Sequence, residues 1–322
     1  MIIPERSIAQ RKRKVYIIVT MKGQHILSTK QFDRKSLIHL FEVAQEMEGI
    51  LDKGGADLLK DKVMATLFYE PSTRTRMSFE SAMLRLGGKV ISNSDMMKTS
   101  SHKKQETLED TGKVVSHMVD VIAMRHPEKG SVERLAAMSN VPVLNAGDGP
   151  GEHPTQALLD VYTIWKEKGN LDGLTVGMVG DLKYGRVPHS QCDLLRHFDA
   201  KFVFVSPEAL KMPKEIVAEM GEVREVEDLS EVIGEMDVIG MTRIQQERFE
   251  NEEEYLKHKG SYVLDGELMK KAKEDAIVIH PLPRVDEISE EVDQDPRAKY
   301  FDQVRNGVAI RMALLKGVLI DG

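Results

Sequence analysis

From residue 31 onward the chain alternates between two hydrophobic periods. Leu37, Leu40, Phe41, Ala44 and Met47 fall on one face of a helix, whereas residues 63–68 form a short, mostly apolar run of strand length. Helical spacing returns at Phe79, Ala82, Met83 and Leu86. The same alternation predicts strand over 119–124, helix over 132–138 and strand over 141–144. A long helix is then expected after His153, with Pro154 at its first position, through Leu158, Val161, Tyr162 and Trp165 to a capping Gly169. Further strands are predicted at 175–179, 202–205, 238–241 and 276–279, separated by helical stretches, with a last helix over 307–319. Strands alternating with helices imply parallel sheets covered on both faces. The expected fold class is therefore α/β: two open parallel-sheet α/β domains joined by a long helix. The division is placed at the loop 147–153, giving domains 23–153 and 154–304. The pattern of the last helix lets it pack on either.

Composition narrows the function classes. A length of 322 residues suits two domains, and 41% apolar with 30% charged residues is ordinary for a globular chain. The net charge of −7 argues against a protein that coats nucleic acid, because that binding scales with the phosphates neutralised. A single cysteine, Cys192, excludes a disulfide framework and a cysteine zinc cage, and fits a reducing, cytoplasmic setting. No apolar run approaches the roughly 18 to 20 residues of a membrane span. Residues 1–22 stand apart with a net charge of +5, which leaves −12 on the remainder. They read as a flexible basic extension, or else as an anionic-surface or organelle-targeting patch at Arg11–Lys14, and they lack the apolar centre of a secretory signal.

In open parallel sheets, ligands gather at the carboxyl ends of the strands. After Phe68 come Glu70, Pro71, Ser72, Thr73, Arg74, Thr75 and Arg76, opening a helix. With Ser72 as its expected N-cap, the free N–H groups, hydroxyls and arginine there suit an anion. Arg125-His126-Pro127 adds a second cation at the same edge. His153 and Gln156 lie three apart at a helix start, where both reach one ligand. The stretch Val176–Arg186 invites a dinucleotide reading but fails it, because Leu182 occupies the second glycine position of the fingerprint. What survives is a glycine turn with Arg186 at its mouth. Thr242-Arg243-Ile244-Gln245 places another cation after a strand, and His280-Pro281-Leu282-Pro283-Arg284 offers carbonyls to a small donor such as an amide. Nothing here asks for a metal or an organic cofactor.

Together these motifs resemble the aspartate carbamoyltransferase (aspartate transcarbamoylase) catalytic-chain family. Ser-Thr-Arg-Thr-Arg, Arg-His-Pro, His-Pro-Thr-Gln, Gly-Asp-Leu-Lys-Tyr-Gly-Arg, Thr-Arg-Ile-Gln and His-Pro-Leu-Pro-Arg-Val-Asp-Glu occur in family order across residues 24–318. The resemblance implies a homotrimer with shared active sites that carries the carbamoyl group of carbamoyl phosphate to L-aspartate in pyrimidine biosynthesis, with no cofactor. It implies Arg74, Thr75 and Arg125 on carbamoyl phosphate, with backbone contacts from Ser72 and Thr73. His153 would sit at the carbonyl oxygen, and Gln156 with Pro281, Leu282 and Pro283 around the carbamoyl amine. Arg186, Arg243 and Gln245 would hold aspartate, while Ser100 and Lys104 would enter from a neighbouring subunit. Glu70 would pair with Arg186 and Arg248 on domain closure, and a helix over 305–320 would return to the first domain. Regulatory chains or a higher assembly are compatible with the family.

Two departures stand out. Gln105 occupies a position where relatives usually have glycine, so a positive φ there would strain the loop. Val187-Pro188 replaces a usual Thr-Val beside the aspartate site. Two rivals remain. Ornithine carbamoyltransferase would need an acidic second-substrate pocket, which Arg243 and Gln245 do not provide. A catalytically silent structural or regulatory subunit is the other; retention of the charged residues argues against it.

Overall fold

A computed structural model describes residues 21–98, 104–244, 253, 255, 256 and 260–320. Two all-parallel sheets organise it. The first contains β1 (Val63–Phe68), β2 (Lys89–Asn93), β3 (Val121–His126) and β4 (Val143–Asp148) in the order β2-β1-β3-β4. The second contains β5 (Thr175–Val179), β6 (Lys201–Val205), β7 (Val223–Val226), β8 (Val238–Met241) and β9 (Ile277–Ile279) in the order β7-β6-β5-β8-β9.

Side-chain alternation divides each sheet between two cores. Val121 and Ala123 of β3 join a large cluster that runs on through the second half of the chain, while Ile122 and Met124 face a smaller cluster. Likewise Phe202 and Phe204 of β6 share the large cluster, and Val203 and Val205 face the third. Both faces of the central strands are thus buried, as parallel sheets require.

The helix Pro154–Lys168 connects the sheets. Proline occupies its first turn, and Gly169 closes it with φ 77°, a left-handed conformation natural to glycine. Most of its side chains are buried, Leu158, Val161 and Tyr162 completely. The C-terminal helix Asp302–Leu319 packs beside it and along the helices Arg34–Asp52 and Arg74–Arg85.

Several boundaries differ from expectation. β3 and β4 each run beyond the predicted strands, so Arg125, His126 and Asn145–Asp148 are strand residues rather than loop. Strands β2 and β7 were not anticipated. Both lie at sheet edges and are largely solvent-facing, so neither has an apolar run to betray it. Met21, assigned to the extension, packs on the large core, and the Gly23 N–H donates to the Val318 carbonyl at 3.0 Å. The rest of that extension, residues 1–20, lies outside the described residues, as do Ser100, Gln245 and Arg248.

Candidate active site

The carboxyl ends of β1, β3, β5, β8 and β9 open into one cleft between the two sheets, with a volume of about 670 Å³. Among the described residues, its lining contains five arginines, Arg74, Arg125, Arg186, Arg243 and Arg311, against a single carboxylate, Glu70. Ser72, Thr73, Thr75, His153, Gln156, Pro281, Leu282 and Pro283 complete most of the predicted set. Lys104 does not line the cleft of its own chain.

The wall after β1 is built by a helix start. Helix Arg74–Arg85 begins with Thr73 as its N-cap, not Ser72, and no side chain caps it. The expected Ser72 cap is therefore corrected, with a chemical consequence. A side-chain cap would occupy first-turn N–H groups that are here left facing the cleft, at the positive end of the helix. The Arg74 guanidinium sits below its ordinary basicity, through burial and then the nearby Arg125 charge.

Glu70 ties the two halves together. Its Oε1 accepts from Arg125 Nε at 2.5 Å and lies 3.8 Å from Arg186 Nη2. The expected partner Arg186 is therefore the more distant, and Arg125 on the same sheet the nearer. Arg186 also donates to the Gly149 carbonyl, on the loop after β4. Gly149 has φ 50°, and a Cβ there would come within 2.3 Å of the Pro127 carbonyl, so only glycine permits this close loop.

His153 is the N-cap residue of the connecting helix but makes no capping bond. Burial, followed by the charges of Arg186, Arg125 and Arg311, holds its imidazole well below the usual 6.5. It is a neutral ring at neutral pH. Its Nδ1 is buried and meets no hydrogen-bond partner among the described residues.

The Pro281–Pro283 turn is anchored by His280. Its Nδ1 accepts from the Leu282 N–H at 2.8 Å, so Nε2 carries the proton donated to Glu287 Oε1 at 2.7 Å. Leu282 has φ 49°, an uncommon conformation for a branched residue and a mark of a backbone held to present its groups. Pro188 lies in the first turn of the helix Arg186–Leu195, where no intrahelical acceptor awaits an N–H, so the substitution costs the helix no bond.

Among the lining residues that escaped the sequence reading are Arg311 and Gln303. Arg311, on the C-terminal helix, is completely buried, donating to Ser78 Oγ at 2.9 Å and Thr155 Oγ1 at 3.2 Å; burial lowers its basicity to about 10, leaving it charged at neutral pH. Gln303, on the same helix, accepts from the His280 N–H at 3.0 Å. The available signal was a cation inside the apolar run Val308–Leu315.

An α/β cleft dominated by arginine, with an open helix start and a neutral histidine, is a site suited to small anions. Comparison with known proteins agrees. Residues 24–166 match the aspartate/ornithine carbamoyltransferase carbamoyl-P binding domain, and residues 172–318 the Asp/Orn binding domain. The chain is 50% identical over 305 residues to the aspartate carbamoyltransferase catalytic subunit of Methanopyrus kandleri, covering 93% of this chain and 98% of that one. It is 52% identical over 299 residues to that of Thermococcus kodakarensis, covering 91% and 96%. The crystal structure of Trypanosoma cruzi aspartate transcarbamoylase in complex with carbamoyl phosphate and aspartate superposes with a TM-score of 0.87 at 41% identity, over 93% of this chain and 98% of that one. This chain belongs to the aspartate/ornithine carbamoyltransferase family.

Proposed function

We propose that the chain transfers the carbamoyl group of carbamoyl phosphate to the α-amine of L-aspartate, giving N-carbamoyl-L-aspartate and phosphate, an early step of pyrimidine biosynthesis. The observation that carries this reading is that, among the described residues, five arginines face one carboxylate in the cleft. Carbamoyl phosphate and aspartate bring about four negative charges between them, and arginine forks suit phosphate and carboxylate. Ornithine, with a cationic side chain, would meet Arg186 and Arg243 instead of an acidic partner.

In this reading the helix start at Ser72–Thr75, with Arg74 and Arg125, holds the phosphate, and Arg186 and Arg243 hold the aspartate carboxylates. The amine lone pair forms the new C–N bond while the carbonyl pair moves onto oxygen. Thr75, Arg125 and the neutral His153 donate to that oxyanion. Its collapse breaks the bond to phosphate, and the departing phosphate takes the amine proton. Holding two like-charged reactants together supplies much of the acceleration. Glu70, between Arg125 and Arg186, couples the halves so that closure completes the site. The working unit is a trimer in which Lys104 and Ser100 serve a neighbouring cleft; Lys104's position outside the lining of its own cleft supports this.

Carbamoyl transfer assayed in parallel with aspartate and ornithine tests the reading. Carbamoyl-aspartate should form at least about a hundredfold faster than citrulline. Equal rates, or citrulline alone, would overturn the substrate assignment.

A further inference from the structure

Behind the cleft lies a carboxylate with an unusual set of partners. Asp160, on the connecting helix, is completely buried and does not line the cleft itself. Three glutamine amides from three helices converge on it. Gln156 Nε2 donates to its Oδ1 at 2.8 Å, Gln191 Nε2 to its Oδ2 at 2.7 Å, and Gln303 Nε2 also to Oδ1.

An ionised carboxylate only accepts, so each amide must turn its nitrogen inward and its oxygen outward. For Gln303 the outward oxygen is engaged: it accepts from the His280 N–H at 3.0 Å, at the root of the Pro281–Leu282 turn. For Gln156, which lines the cleft, the outward end is likewise the acceptor Oε1.

We propose that Asp160 is the positioning residue that makes this cleft select an amide-bearing phosphate: by fixing the amide sense of Gln156 and Gln303, it aims acceptors at the carbamoyl NH₂ from both sides. The assignment rests on the carbamoyl phosphate reading above and deepens it. Asparagine is too mild a probe, because its oxygen can stay on Gln156 and Gln303 while its NH₂ takes the Oδ2 position and turns only Gln191. Leucine, of similar size, removes both acceptors; Gln156 then loses the partner that holds its nitrogen inward, and a reversed Gln156 would present a donor to a donor.

The test compares carbamoyl phosphate with acetyl phosphate, which has nearly the same shape but a methyl group in place of the amine. Wild type should bind carbamoyl phosphate more tightly, measured at a pH of about 8.5 so that the carboxylate form prevails. In Asp160→Leu that preference should shrink about tenfold, with acetyl phosphate affinity nearly unchanged. A merely structural role would weaken both ligands alike. Adding Gln156→Glu to Asp160→Leu restores an outward acceptor and should recover part of the preference. Should Asp160→Leu not be recovered folded, Gln303→Met, which removes the link from Asp160 to the His280 turn and leaves the Gln156 bond in place, should also reduce the ratio.

An unchanged ratio in the folded variants, with wild-type transfer to aspartate intact, would overturn the role of Asp160 alone. A wild type with neither transfer nor preference would overturn the functional reading and this inference with it.

Discussion

Gln105 has a φ of 60°, in the region where an L-residue's Cβ crowds its own backbone at a cost of roughly 1 to 2 kcal/mol. Gln105→Gly removes that crowding but restores freedom to the unfolded chain, so a net gain of about 0.5 to 1 kcal/mol is expected in urea unfolding. A loss of stability would show that the glutamine side chain contributes contacts outweighing the strain. This strain was legible in advance, because glycine is the family's usual residue there. The left-handed Leu282 was not, since two flanking prolines signal a rigid turn without revealing the hand of the residue between them. Nor was the true helix cap at Thr73, because a serine and a threonine in tandem offer equivalent local chemistry.

The connecting helix shows what element patterns reveal and what they hide. Its start at Pro154 and end at Gly169 were both readable from local geometry. The role of Asp160 was not, since its partners Gln191 and Gln303 lie on other helices, far away along the chain. The clue was a charge embedded in the apolar run Leu158–Tyr162. Edge strands β2 and β7 were lost for the opposite reason: their exposure removes the apolar pattern that defines the central strands.

Burial raises Asp160 from the usual 3.8 to about 7, against the pull of its three glutamines and of Arg311 on the C-terminal helix. Between those values the folded chain holds a proton that the unfolded chain has released. Stability from this group therefore falls as pH rises through that window and is level above it. Asp160→Asn cannot titrate. The stability of wild type minus that of the variant should then decline by up to about 1.4 kcal/mol per pH unit from about pH 4 to 7, and flatten beyond. A pH-independent difference would contradict a protonated carboxylate at this position.

For the whole molecule, a net charge of −7 describes the surface and conceals the site. The two sheets share one apolar core through the connecting and C-terminal helices, which fixes the strand ends from both halves around a common cleft. The strand-end arginines of that cleft were legible because parallel sheets place their ligand groups at predictable chain positions. Arg311 was not, because it reaches the cleft from a helix that follows all the strands. The central claim is that one cleft holds both anions at once. N-(phosphonacetyl)-L-aspartate, which carries a phosphonate and both free aspartate carboxylates in one molecule, measures this directly by titration calorimetry. The account predicts one molecule bound per chain, at least about a hundredfold tighter than inorganic phosphate, with Arg74→Ala and Arg243→Ala each weakening it by tenfold or more. Binding no tighter than phosphate, or indifferent to Arg243→Ala, would contradict it.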